Sequence, residues 1–150
     1  MIGLSAEPID PGALLAGFIR GRTNSGGVVS FTGLVRADDG VEALELEAYP
    51  GFTEAAIGAI AAEATGRFAL DDTLVIHRVG RMSVGDPVVF VATAARHRRS
   101  AFEAADFLMD YLKSRAPFWK KSYDALGARW IEPSHADYTD VARWDLKESS

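Results

Sequence analysis

The 150-residue sequence has no cysteine. That excludes disulfide staples, a thiolate nucleophile, Cys-ligated zinc and any persulfide carried on this chain. If the protein handles sulfur, a partner must bring it. Histidine is scarce as well. His77, His97 and His135 are scattered and form no HxH or HExxH pattern, so no metal site is expected. Long apolar runs are missing: the stretch Val88 to Ala95 falls far short of the roughly 20 residues that span a bilayer. Met1 to Pro8 carries no basic stretch followed by an apolar run, so it does not read as a secretory signal. The expectation is a cytoplasmic protein without a membrane partner.

What is present is ordinary globular material, 48% hydrophobic and 25% charged, enough for one core and one domain over residues 1–150. The net charge of −5 conceals an asymmetry. Between Arg96 and Lys121, seven Lys/Arg (Arg96, Arg98, Arg99, Lys113, Arg115, Lys120, Lys121) face three acids (Glu103, Asp106, Asp110), a local +4 in a chain otherwise at −9. A confined basic site in an acidic protein points to a small anionic ligand; nucleic acid binding shows a broader basic face.

Asp10-Pro11 predicts the start of a first helix, with Leu14, Leu15, Phe18 and Ile19 at helical spacing until Gly21. Val28 to Val35 and Val41 to Tyr49 read as strands around the turn Asp38-Asp39-Gly40, and are expected to pair antiparallel. Thr53 predicts the cap of a second helix ending at Gly66. Two strands follow, Thr73 to Val79 and Val88 to Ala95, around Gly85-Asp86-Pro87. Ser100 to Glu103 has the form of a capping box, with Ala101, Ala105, Leu108, Met109 and Leu112 as a buried stripe and Phe102 read as core. Pro117 stops this third helix, and Trp119 to Tyr123 with Ala128 to Glu132 flank a hairpin loop. From about Pro133 the chain is expected to be irregular. The sum is an α+β fold with mixed and antiparallel pairing.

Three groups of residues carry candidate chemistry. Arg96-His97-Arg98-Arg99 lies between a buried strand and a helix start; alone it fits either a solvated basic loop or a phosphate site, and the junction favours phosphate, which Arg grips with two donors. Lys113 and Lys120 bracket Pro117, Phe118 and Trp119, rigid aromatic surroundings that can desolvate an amine and bring it into a catalytic range. Arg36 ends the first long strand, in which Gly33 suggests a bulge or a close backbone approach. His77 alternates with Val75 and Val79 and reads as an ordinary sheet side chain.

The segments FTGLVR (31–36), YPGFTE (49–54), HRVG (77–80) and HRRSAFEAADFLMDYLKSRAPFWKK (97–121) resemble, in order and spacing, the molybdopterin synthase catalytic (large) subunit family over about residues 28–132. The resemblance implies an α/β-hammerhead type with about three helices. It implies a homodimer carrying a small ubiquitin-like sulfur-carrier subunit at each end, a heterotetramer. The carrier's C-terminal Gly-Gly thiocarboxylate would supply two sulfurs, in two rounds, to cyclic pyranopterin monophosphate, with no cofactor needed. By matching position, Lys113 and Lys120 resemble the family's catalytic lysines. Arg36, His97 and Arg98 resemble its anion-pocket residues, with His97 and Arg98 reaching the site from the neighbouring chain. Arg99 receives no role. Where the resemblance leads one to expect a glutamate, this chain has Ser122. Two other readings fit parts of the pattern: a non-catalytic docking subunit for a ubiquitin-like tail, and an enzyme acting on another phosphorylated heterocycle.

Overall fold

Asp10 caps the first helix as the sequence predicts: its Oδ1 accepts the Ala13 N–H at 3.1 Å, and Pro11 opens α1 (Pro11–Ile19). The structure is a computed structural model that describes residues 1–131 and 135–148. Besides α1 it contains strands β1 (Ile2–Ser5), β2 (Gly27–Leu34), β3 (Ala43–Ala48), β4 (Asp72–Arg78), β5 (Gly80–Ser83), β6 (Pro87–Ala95), β7 (Phe118–Asp124) and β8 (Gly127–Ile131). The other helices are α2 (Phe52–Arg67), α3 (Arg98–Arg115) and α4 (His135–Glu148).

The strands form two sheets. The first has order β1-β4-β6-β2, with β1 parallel to β4 and the other pairs antiparallel; the second, β5-β3-β7-β8, is wholly antiparallel. Strand β6 explains its own unbroken apolar run, because both of its faces are covered. Val89, Val91 and Ala95 pack under α2 and α3, while Phe90, Ala92 and Ala94 pack under α1. A third cluster of Val35, Leu46 and Met82, with Phe118 and Val88 against it, fills the junction between the sheets.

Several expectations are corrected. The segments 28–35 and 41–49 do not pair with each other: β2 joins the first sheet and β3 the second. The cause is the exit from β2, where the register shifts between Gly33 and Leu34 and the turn before β6 captures Val35 on both backbone groups, through Asp86 O and Gly85 N. Left-handed Asp39 (φ 55°) and Gly40 (φ 76°) then redirect the chain.

Thr53 does not cap α2; Gly51 does, at φ 80°, and Thr53 lies buried in the first turn with its hydroxyl accepting from Tyr49 N–H and donating to Pro117 O. Phe102 is 61% exposed rather than core. From about Pro133 an irregular chain is expected, yet 135–148 is helical, so that α-helices number four among the described residues where about three are expected. One aromatic anchor accounts for this: Trp144 is 1% exposed, edge-on to Phe68 and Phe107, with its indole N–H donating to Asp110 and Arg143 paired to Asp106 and Asp110. Glu132 to Ser134 lie outside the described residues. Among the described residues no helix is long and apolar enough to cross a membrane.

Candidate functional site

The basic junction is shorter than expected. Helix α3 begins at Arg98 with His97 as its extended N-cap, so the capping box at Ser100 is not used and no side chain caps the helix. Arg98 and Arg99 therefore occupy the first turn, which holds no acid. Cations there oppose the positive end of the helix dipole, and the first N–H groups have no intrahelical acceptor. Arg96, His97, Arg98 and Arg99 are all exposed, and a bound anion would offset the repulsion between these cations and the helix N-terminus.

Under this junction runs the start of β2. A Cβ on Gly26 would lie 2.1 Å from the Arg96 carbonyl oxygen, and one on Gly27 would lie 3.2 Å from the Arg98 Cα. The two glycines, read in the sequence only as a strand opening, are the seat of the basic loop.

Arg36 follows Val35 out of β2. Its backbone is fixed by the Val35 clamp described above; its side chain is exposed and pairs with Asp38 at 3.0 Å. Gly33 sits at the expected irregularity, where the register shifts between Gly33 and Leu34; what a Cβ there would meet is the Val89 side chain, with Cγ1 at 2.8 Å, and not another backbone.

The lysines lie on either side of a strongly held corner. Lys113 is in the last turn of α3, and the chain turns through Pro117 into β7. Thr53 Oγ1 donates to Pro117 O at 2.5 Å, His77 stacks on Phe118 at 4.3 Å, and Trp119 lies between Tyr49 and Trp130 at 5.4 and 5.5 Å. Strand alternation puts Lys120 on the face shared by Phe118 and the 4%-exposed Ser122, and Lys121 on the opposite face, over the Trp130 ring at 4.9 Å. Both Lys113 and Lys120 are exposed, so the aromatic desolvation anticipated from the sequence is not made within one subunit.

His77 is a sheet side chain of β4, as expected, on the same alternation as buried Val75. It is itself buried, and its Nδ1 lies 2.9 Å from the Arg78 carbonyl. Among the described residues no three His, Asp or Glu side chains are grouped to hold a metal ion.

The strand ladder orders these groups along the molecule. Leu34 pairs with Pro87 at one end of β2–β6 and Gly27 with Ala95 at the other, roughly 25 Å apart for an eight-residue strand. Arg36 leaves the first end, and His97 and Arg98 stand at the second. Helix α3 runs back along the sheet, carrying Lys113 roughly 22 Å from Arg98. The His77–Phe118 stack ties the start of β7 to the same end as Arg36, since His77 pairs with Val89. One chain thus gathers Arg36, Lys113 and Lys120 at one end and leaves His97 and Arg98 at the other.

Residues 4–115 match the family model described as MoaE protein. The chain belongs to the MoaE family. This MoaE sequence is 58% identical to the molybdopterin synthase catalytic subunit of Caulobacter vibrioides, over 97% of each chain. It is 49% identical to that of Escherichia coli, over 82% of this chain and 84% of the other. Among solved structures, the MoaE protein of Burkholderia ambifaria superposes with a TM-score of 0.84 at 42% identity, covering 97% of both chains. Molybdopterin synthase from Staphylococcus aureus does so at 0.78 and 31% identity, covering 85% of this chain and 94% of that one. The two-sheet α+β architecture is therefore the MoaE fold.

Proposed function

We propose that this chain, working as one domain in the cytoplasm, transfers sulfur to cyclic pyranopterin monophosphate at a site built from two copies of itself. Its enzymatic class follows from its family: it is a molybdopterin synthase catalytic subunit, a sulfur-transferring enzyme of molybdenum cofactor biosynthesis. The sulfur comes from a small ubiquitin-like partner ending in a Gly-Gly thiocarboxylate, which is consistent with a chain that has no cysteine and with relatives that carry the synthase name.

The observation that carries the two-copy site is the separation of its parts. His97 and Arg98 are too far from Lys113 of their own chain to share one small ligand with it, so a pocket containing all five residues needs a second copy in an isologous dimer. There Arg36, with His97 and Arg98 of the second copy, grips the pterin phosphate through charge-assisted hydrogen bonds. Lys113 and Lys120 face the thiocarboxylate and the pterin side chain. Their ammonium groups stabilise the charge that develops as sulfur attacks, or carry the protons that the attack displaces.

The test is reconstitution. Purified chain, thiocarboxylated carrier and cyclic pyranopterin monophosphate should together yield the dithiolene product, and light scattering should find the chain as a dimer. A strictly monomeric chain at micromolar concentration, or a mixture that forms no dithiolene, contradicts the reading.

A further inference from the structure

The strongest unassigned group is His77, a buried imidazole beside the proposed site that the mechanism above does not use. Its environment fixes its state. A backbone carbonyl can only accept, so the 2.9 Å contact with Arg78 O makes Nδ1 the protonated nitrogen and leaves Nε2 with a bare lone pair. Burial draws the pKa from 6.5 to about 4, against the Arg78 carbonyl, which favours the protonated ring, and with the Lys120 ammonium, which disfavours it. Near neutral pH the ring is then an uncharged, fixed dipole and a poor source or sink of protons.

Geometry links this ring to Lys120. His77 stacks on Phe118 with the planes 27° apart. Phe118 opens β7, and Lys120, two residues on, projects from the same face. The opposing partners of the two residues, Ala48 and Leu46 on β3, hold that register. The imidazole therefore lies where it can set both the strand that carries Lys120 and the electrostatic surroundings of the amine.

We propose that His77 is a positioning residue for Lys120: its ring anchors Phe118 at the start of β7, and its unprotonated Nε2 is the neutral acceptor that sets the ammonium in place. The inference rests on Lys120 being a catalytic group.

The test is a double-mutant cycle read by single-turnover sulfur transfer, with carrier affinity measured alongside. His77→Phe keeps the stack and removes both nitrogens. It should slow transfer at least about tenfold with unchanged carrier affinity, and His77→Gln, which restores an acceptor, should recover part of the rate. In a Lys120→Ala background His77→Phe should cost nothing further. A full rate for His77→Phe, or a loss that multiplies with that of Lys120→Ala, overturns the positioning role while leaving Lys120 catalytic. A full rate for Lys120→Ala alone overturns the catalytic reading of Lys120, and this inference with it. The wild-type protein supplies an independent readout: nitrogen-15 shifts of His77 should report the Nδ1–H tautomer, with Nε2 responding to Lys120→Ala. An Nε2–H tautomer overturns the proposal whether or not the variants fold.

Discussion

The carbonyl oxygen of Arg96 lies where a side chain on Gly26 would have to be, 2.1 Å from the position of its Cβ. The basic loop is thus shaped by a residue with no side chain, and its chemistry depends on backbone contact as much as on charge. Gly26→Ala must push the Arg96 peptide away, an overpacking cost of about 1–3 kcal/mol. The displaced loop should bind the pterin phosphate at least about tenfold more weakly, since one charge-assisted contact is worth roughly 1.5–3 kcal/mol. Arg98→Ala should weaken it similarly without the loss of stability. Calorimetry on both variants, with carrier affinity as the control, separates a mispositioned loop from a missing cation.

Acid stability should report His77. Its folded pKa, about 4, is below its ordinary 6.5, so between those values the unfolded chain binds the proton and the native one does not. By linkage the stabilisation is complete above pH 6.5 and is lost as pH falls towards 4, by about 3 kcal/mol over the interval. Denaturant melts of wild type and His77→Phe across this range should show the variant with the shallower pH dependence. Parallel curves would mean that the ring titrates normally in the native state.

The lysines separate a catalyst from a docking subunit. Lys113→Arg keeps the charge but exchanges a compact, titratable amine for a planar guanidinium. If the amine moves protons or fits closely beside the thiocarboxylate, single-turnover transfer should fall at least about 10²-fold, with carrier binding intact. Lys120→Arg should behave alike, and the double variant should lose less than the product of the single losses. Near-normal transfer by both variants would reduce the lysines to charge alone.

Much of this was legible in the sequence, for identifiable reasons. Helix α3 announces itself through Ala101, Ala105, Leu108 and Leu112 at helical spacing, and β6 through an apolar run that two covered faces require. Local pattern failed where distant partners decide. The pairing of β2 depends on β6, some sixty residues away, and the helicity of α4 depends on one tryptophan docking on Asp110 and Phe107. The capping-box pattern at Ser100 is overridden because the chain enters the helix three residues earlier, with His97 as N-cap, against Gly27. The candidate site residues came from motif order, which carries no coordinates. That Arg36 and Arg98 stand at opposite ends of one ladder appears only with the topology, as do the buried state of His77 and the Thr53–Pro117 bond.

The most direct measurement of a site shared between two copies is complementation between two damaged chains. Lys113→Ala and Arg98→Ala are each to be assayed as homodimers, then unfolded together, refolded as an equal mixture and assayed again with carrier and precursor. A mixed dimer pairs the intact lysine of one chain with the intact arginine of the other at one of its two sites. The account predicts that random mixing restores about a quarter of wild-type turnover, because about half of the dimers are mixed and each of these has one intact and one doubly damaged site. If the mixture is no more active than the average of the two parent variants, both residues act within one chain, and the two-copy site is wrong.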